Sequence, residues 1–263
     1  ELPQAPVPLG RLRKNPVPPG RERGRPQGLP FLRFAHPFFG LSHTAYDGTS
    51  RAMTAAVALP DFAFEQAAME RGALVVAGVD EVGRGPLAGP VTAAAVVLDP
   101  AGIPPGLNDS KRLSAARREV LADAIWSQAR SAAVAHASVE EIDTLNILHA
   151  SLLAMRRALA ALSLPPDHAF IDGNRLPQDL CCPADTLIKG DARCLSVAAA
   201  SILAKVARDR IMADLARDWP GYGWETNAGY PSAAHLAALT RLGVTPHHRR
   251  SFAPVRNILC AEN

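Results

Sequence analysis

The chain has 263 residues, 48% of them hydrophobic, which is enough for one core-bearing domain of ordinary size with segments to spare. No run of about 18 uncharged apolar residues occurs, and no charged start is followed by a short apolar block, so neither a membrane span nor a secretory leader is expected. The net charge of +3 divides unevenly: residues 1–52 hold eight Lys/Arg against three Asp/Glu and the rest hold 20 against 22, so any nucleic-acid surface on the folded part must be a local arrangement of charge.

Residues 1–52 carry nine prolines, many arginines and no sustained period of 2 or 3.6. Met53 is the first methionine. Translation from Met53 would leave the earlier stretch upstream of the protein; otherwise that stretch is a disordered basic arm adding non-specific affinity for nucleic acid. The division expected is a Pro/Arg-rich, disordered extension over 1–70 and a folded domain over 71–263. From about Ala73 the texture changes. "ALVVAGVDEVG" and "GPVTAAAVVLDP" are short apolar runs bounded by Gly, Pro and acids, and "SAAVAHASV", "HAFIDG" and "DTLIKGD" repeat the pattern, as buried strands do.

Helices fall between and after these runs. Ser114 can cap one through about Gln128, with Val120, Leu121, Ala124 and Ile125 on its apolar side. Ser138 and Glu141 have the spacing of a capping box, and the helix after them places Leu145, Leu148, Leu152, Met155, Leu159 and Leu162 in one stripe that Pro165 and Pro166 stop. Ser196 begins an alanine-rich helix, and a shorter one runs from about Ser232 to Leu242 before a polar end containing His and Arg. The order is an α/β layer fold with a small helical appendix. The cysteines, Cys181, Cys182, Cys194 and Cys260, form no CxxC pair or metal-ligand spacing, which suits inert thiols in a reducing compartment, with cytoplasm as the default location.

Four carboxylates stand where apolar strands run out: Asp80, Glu81, Asp172 and Asp191. Such acids at the open edge of an α/β sheet lie where ligands bind, although each taken alone also suits a turn former or helix cap. Brought together they would repel unless cations neutralised them, and Mg²⁺ or Mn²⁺ is the natural partner because hard cations prefer carboxylate oxygen. Two such ions about 4 Å apart can activate a water and stabilise the leaving oxygen of a phosphodiester. One geometric difficulty stands in the way. Asp80 and Glu81 point to opposite faces of a regular strand, so the strand is expected to bend there, helped by Gly83 and Gly85, or one acid acts from the rim.

The segment Asp80-Glu81-Val82-Gly83-Arg84-Gly85 resembles the DExGRG signature of the ribonuclease HII family, a type 2 RNase H. Further likenesses follow in order: "LNDSKRLS" at 107–114, "IDTLNIL" at 142–148, "FIDGN" at 170–174, "KGDARCLSVAAASILAKVARDR" at 189–210 and "GYPSAAHLAALTRLGVTPHHRRSFAPV" at 229–255. The resemblance implies an RNase H-like mixed five-stranded sheet flanked by helices with a small C-terminal helical segment. It implies a monomeric, metal-dependent endoribonuclease that cuts RNA–DNA hybrids and, in duplex DNA, 5′ of single ribonucleotides, leaving 5′-phosphate and 3′-hydroxyl ends. Asp80, Glu81, Asp172 and Asp191 match the metal-holding acids. Gly83, Arg84 and Gly85 match the tripeptide that reads the 2′-hydroxyl, the group that separates RNA from DNA. Tyr230 matches a tyrosine that stacks on a sugar near the junction, and on its own also suits a packing residue. Lys111, Lys205 and Arg208 are expected phosphate contacts, the last two three apart on one helix face, with a Lys205–Asp209 ion pair as the plain alternative. His247, His248, Arg249 and Arg250 form a basic cluster that is either structural or in contact with the substrate backbone. A ribonuclease HIII-like enzyme cutting long hybrids only, another nuclease of the same broad fold such as a resolvase or integrase, and a non-catalytic hybrid-binding module are the other readings.

Overall fold

In the computed structural model, which describes residues 59–261, the five apolar runs form one sheet: β1 (Val76–Val82), β2 (Val91–Val97), β3 (Ser131–Ala137), β4 (His168–Asp172) and β5 (Ala184–Leu187). Their order is β3-β2-β1-β4-β5. β1 pairs antiparallel with β2, and β2 with β3; β4 runs parallel to β1, and β5 to β4. The mixed five-stranded sheet expected from the sequence is present. The change of direction at β1 matters for the site, because β1 and β4 end side by side at the same edge.

The sheet is covered on both faces, which is why β2, next to the central β1, shows no alternation of apolar and polar residues. All seven residues of β2 are buried. Val91, Ala93, Ala95 and Val97 pack with Ala150, Ala154 and Ala158 of α4 (Ile147–Ala160). Ala94 and Val96 face the other way, toward Leu121 and Ile125 of α2 (Ala115–Gln128) and Ile202 of α5 (Leu195–Asp218). The alanines of α5 let it lie close, and Gly78 of β1 lets it lie closer. A Cβ on Gly78 would stand 2.2 Å from the Ser196 carbonyl carbon, a distance no side chain tolerates.

Local signals set most helix ends. Ser114 accepts from Arg117 N at 3.2 Å and caps α2. Ser138 and Glu141 form the full capping box of α3 (Val139–Leu145), with bonds of 3.2 and 2.9 Å. The long apolar stripe does not lie on one helix, however. Asn146 sits at φ +69° and its side chain accepts from Leu148 N and His149 N, so α3 stops and α4 starts at that residue. An asparagine tolerates left-handed backbone and caps well, and the stripe's spacing is blind to that. Val120, expected on the apolar side of α2, is 58% exposed.

Three helices, Ala63–Glu70, Trp224–Asn227 and Ala253–Ala261, are additional to those expected. α1 (Ala63–Glu70) lies within the stretch assigned to the extension, yet its Glu65 is buried and accepts from Ser196 N at 2.7 Å, and Phe64 packs edge-on against Phe170. Residues 63–70 therefore belong to the folded unit, while residues 1–58, including Met53 and the basic stretch, fall outside the described residues. After α6 (Trp224–Asn227) and α7 (Ala233–Leu242), the polar end contains α8 (Ala253–Ala261). Trp224, Leu239, Val255 and Met212 of α5 share a cluster that holds this appendix. Asp143 of α3 accepts from Arg250 N and Ser251 N, both at 2.9 Å, and pins the segment before α8.

Candidate active site

The acids converge at the C-terminal ends of β1 and β4. In the β1–β4 register Val79 lies beside Ile171, so Asp80 and Asp172 follow as neighbours on adjacent parallel strands. One carboxylate oxygen from each of Asp80, Glu81 and Asp172 lies within 4.8 Å of the others. No bend brings them together: β1 stays paired with β2 through Val82. The side chains manage it instead. The Asp80 carboxylate turns toward the next residue to accept from Glu81 N at 2.7 Å, and the longer Glu81 reaches the same group. Of the two arrangements expected, a bent strand or an acid acting from the rim, the bend is absent and side-chain reach at the strand end brings the acids together.

Asp80 is buried, and its carboxyl is pushed well above the usual carboxylate range, first by burial and then by the charges of Glu81 and Asp172. A hydrogen bond from Ser201 of α5 opposes this, and Ser201 is itself paired with Ser110 at 2.8 Å. Burial also raises Glu81, against the pull of Arg84, whose Nη1 lies 3.4 Å from Glu81 Oε1. Glu81 Oε2 is buried with no hydrogen-bond partner. Three carboxylates that crowd one another, two of them reluctant to ionise and one with an orphaned buried oxygen, are a donor set suited to a hard divalent cation.

Asp191 lies beside this group rather than in it. It sits on a short 3-10 turn (Gly190–Ala192) after β5, and Gly190 N donates to Asp172 Oδ1 at 2.7 Å. Its carboxyl is raised by burial and by Asp109 and Asp172, while Lys111 holds it down from 3.6 Å. Lys111 itself is 81% exposed along its side chain while it lies against Asp191. A cleft of about 210 Å³ opens from Glu81 and Asp172 past Arg84, Ser151, Asn174 and Arg175.

The glycine loop after β1 borders the acids. Gly83 has φ +95°, and a Cβ there would meet Arg208 Nε at 2.2 Å, so glycine is required twice over. Gly85 needs no positive φ; a Cβ on it would touch the Tyr230 ring at 3.4 Å, and Tyr230 is 43% exposed beside it. Arg208 corrects the sequence reading. It is fully buried, and its guanidinium donates to the carbonyls of Pro90, Ala228 and Ala88 at 2.9–3.0 Å, so no phosphate reaches it. Lys205 Nζ is paired with Asp209 Oδ1 at 2.6 Å, the plain alternative weighed above.

The basic cluster near the end separates into parts. Arg250 is exposed, but His248 and Arg249 are fully buried. Arg249 donates to Gly83 O, Arg84 O, Gly89 O and Pro90 O at 2.6–3.2 Å. Thr245 N donates to His248 Nδ1, which leaves the His248 Nε2 proton for His235 Nε2 at 3.2 Å. Trp224 Nε1 donates to the same His235 nitrogen, and His235 Nδ1 is left to donate to Tyr230 O at 2.9 Å. Both imidazoles are therefore neutral in this network, and burial pushes His248 down to about 3. The network fixes the backbone that carries Tyr230. Ser110, Ser201 and the buried role of Arg249 carry no sequence signal because each acts through a contact 91 or more residues away.

Set against known proteins, residues 77–255 match the family model described as ribonuclease HII. The chain is 65% identical over 203 residues to the ribonuclease HII of Paracoccus denitrificans, covering 77% of this chain and 96% of that one. It is 58% identical over 245 residues to that of Ruegeria pomeroyi, covering 93% and 98%, an alignment long enough to extend ahead of Leu59. Among solved structures, the ribonuclease H2 of Pyrococcus horikoshii is similar with a TM-score of 0.60 at 30% identity, covering 70% of this chain and 97% of that one.

Proposed function

The chain belongs to the ribonuclease HII family, and from that premise we propose that it incises duplex DNA on the 5′ side of single embedded ribonucleotides as well as cutting the RNA of RNA–DNA hybrids. RNase H-type hydrolysis follows from the family; the position of the cut and the roles of individual residues are the proposal. The observation that carries it is the three-carboxylate group of Asp80, Glu81 and Asp172 set directly against the Gly83–Gly85 loop. Asp80, Glu81 and Asp172, with Asp191 at the side, would hold divalent ions, Mg²⁺ or Mn²⁺, which supply charge neutralisation for an anionic phosphodiester and a hydroxide equivalent at neutral pH. Ser201 keeps the Asp80 carboxylate aimed. Arg84, beside Glu81, and Lys111, beside Asp191, offer positive charge to the scissile phosphate and its neighbour. The Gly83–Gly85 backbone meets the 2′-hydroxyl, and the exposed Tyr230 ring next to Gly85 stacks on the adjoining sugar. The protein acts as a monomer in the cytoplasm.

The test is cleavage of a labelled DNA duplex containing one ribonucleotide, with Mg²⁺, Mn²⁺ or EDTA. A single cut 5′ of the ribonucleotide, abolished by EDTA and by Asp80→Asn, is expected. Cutting of long hybrids without incision at the single ribonucleotide would replace the proposal with a ribonuclease HIII-like activity. Full activity in Asp80→Asn would remove the acids from the reaction.

A further inference from the structure

We infer that Arg249 is a positioning residue for the discrimination of ribose from deoxyribose, holding the Gly83–Gly85 loop from behind in the one arrangement that leaves its amide N–H groups free for a 2′-hydroxyl. This rests on the proposed function, since it concerns how that loop reads its substrate.

The contacts are unusual for a surface-loop basic residue. Arg249 is completely buried. Its Nε donates to Gly89 O at 2.9 Å, Nη1 to Arg84 O at 3.1 Å, and Nη2 to Gly83 O at 2.6 Å and Pro90 O at 3.2 Å. Its own backbone N–H donates to Leu87 O at 2.8 Å. Every one of these acceptors belongs to the loop between β1 and β2. Among the described residues Arg249 has no carboxylate within ion-pair distance, and the second buried guanidinium, Arg208, lies against the same loop. Two unpaired buried cations are a poor way to stabilise a core, since apolar residues of similar volume usually do as well or better. Their fork geometry is what a loop full of inward carbonyls needs, and a lysine has no planar fork to match it.

The consequence is directional. With the carbonyls of Gly83 and Arg84 occupied by Arg249, the groups left at the front are donors: the N–H of Gly83, Arg84 and Gly85 has no protein acceptor among the described residues. Donors favour an oxygen and gain nothing from the hydrogen that replaces it in deoxyribose. Asp143 completes the arrangement by clamping Arg250 N and Ser251 N, which fixes the chain on the far side of Arg249.

The experiment compares binding, in EDTA, of a DNA duplex with one ribonucleotide and of the identical all-DNA duplex, by fluorescence anisotropy, for wild type, Arg249→Lys and Asp143→Ala. Calorimetric Mn²⁺ titration and circular dichroism accompany each variant. The expected result is that Arg249→Lys loses about tenfold of the preference for the ribonucleotide, the scale of one or two lost hydrogen bonds. Affinity for the all-DNA duplex and for Mn²⁺ should stay at the wild-type level, and Asp143→Ala should lose preference in the same direction. A wild-type preference in Arg249→Lys, or an equal weakening toward both duplexes, would overturn the inference. Should Arg249→Lys fail to fold, Asp143→Ala decides alone, and an unchanged preference there is equally fatal. Absence of any preference in the wild type would instead strike at the ribose-reading function itself.

Discussion

Under the proposed function Asp80 serves two ends that conflict. Folding buries it beside two other acids, and its raised carboxyl registers the cost; ion binding needs it charged. Asp80→Asn is therefore expected to lower kcat by a factor on the order of a thousand or more, the loss of several kcal/mol of charge stabilisation, while raising the melting temperature of the metal-free protein. In a domain of this size about 1 kcal/mol moves the midpoint by roughly 2–4 °C, so calorimetry resolves the gain. The two lysines should behave differently. Lys111→Ala removes a cation that is 81% exposed and 3.6 Å from Asp191, and should flatten the log Kd against log salt slope by about one, whereas Lys205→Ala, 20% exposed and 2.6 Å from Asp209, should change it by much less. Equal slopes for the two variants in filter-binding titrations would contradict this. The acids were legible in the sequence because each ends an apolar run, and a run that ends on charge shows where burial stops. Arg208 was misjudged for a matching reason. Its spacing from Lys205 assigns a helix face but says nothing of what that face meets, and what it meets is the carbonyl-lined back of the loop after β1.

At the scale of elements, strands and capped helices could be read because their signals are local: Ser114 and Ser138 with Glu141 cap as their spacing implies, and the helix expected from about Ser232 begins there. The misses have two causes: support from far along the chain for α1, and for the divided stripe a local cap at Asn146 that hydrophobic spacing does not mark. α1 has no convincing stripe of its own and is held by Glu65, whose carboxylate meets Cys194 Sγ at 3.2 Å and Ser196 N at 2.7 Å, 131 residues away. It supplies an acceptor to the first turn of α5, which has no side-chain cap from its own Cys194. Glu65→Ala should then cost about 1–3 kcal/mol, because a buried helix-terminal N–H is left without a partner. A chain that starts at Ala73 should lose more. If removal of residues up to 72 left the urea midpoint unchanged, α1 would have no structural role. Asn146 tests the other miss. Asn146→Ala removes two cap bonds at a left-handed residue and should destabilise by about 1–2 kcal/mol, whereas Asn146→Gly should recover most of the backbone part.

For the molecule as a whole, the acid cluster makes stability depend on pH and metal together. Asp80, Glu81 and Asp191 all have carboxyls raised in the folded state, chiefly by burial. A raised carboxyl keeps its proton longer in the folded chain than in the unfolded one. The folded state then binds more protons across the window from the ordinary carboxylate range up to the raised values, and metal-free stability falls as pH rises through it. Glu141 works oppositely, since its hydrogen bond to Arg157 holds its carboxyl down and its contribution is lost as pH falls. Subtracting the Asp80→Asn curve from the wild-type curve isolates the cluster, because the Glu141–Arg157 pair is common to both. The difference should be smallest at acid pH and grow toward neutrality, with the wild type the less stable of the two. A divalent ion reverses the local sign, so added Mn²⁺ should raise the wild-type midpoint by an amount that grows over the same pH window, while Asp80→Asn gains much less. A Mn²⁺ effect that is independent of pH, or equal in the two proteins, would mean that the ion binds somewhere other than between β1 and β4. Agreement of the two curves would tie the strain stored at this sheet edge to the site where the ion binds.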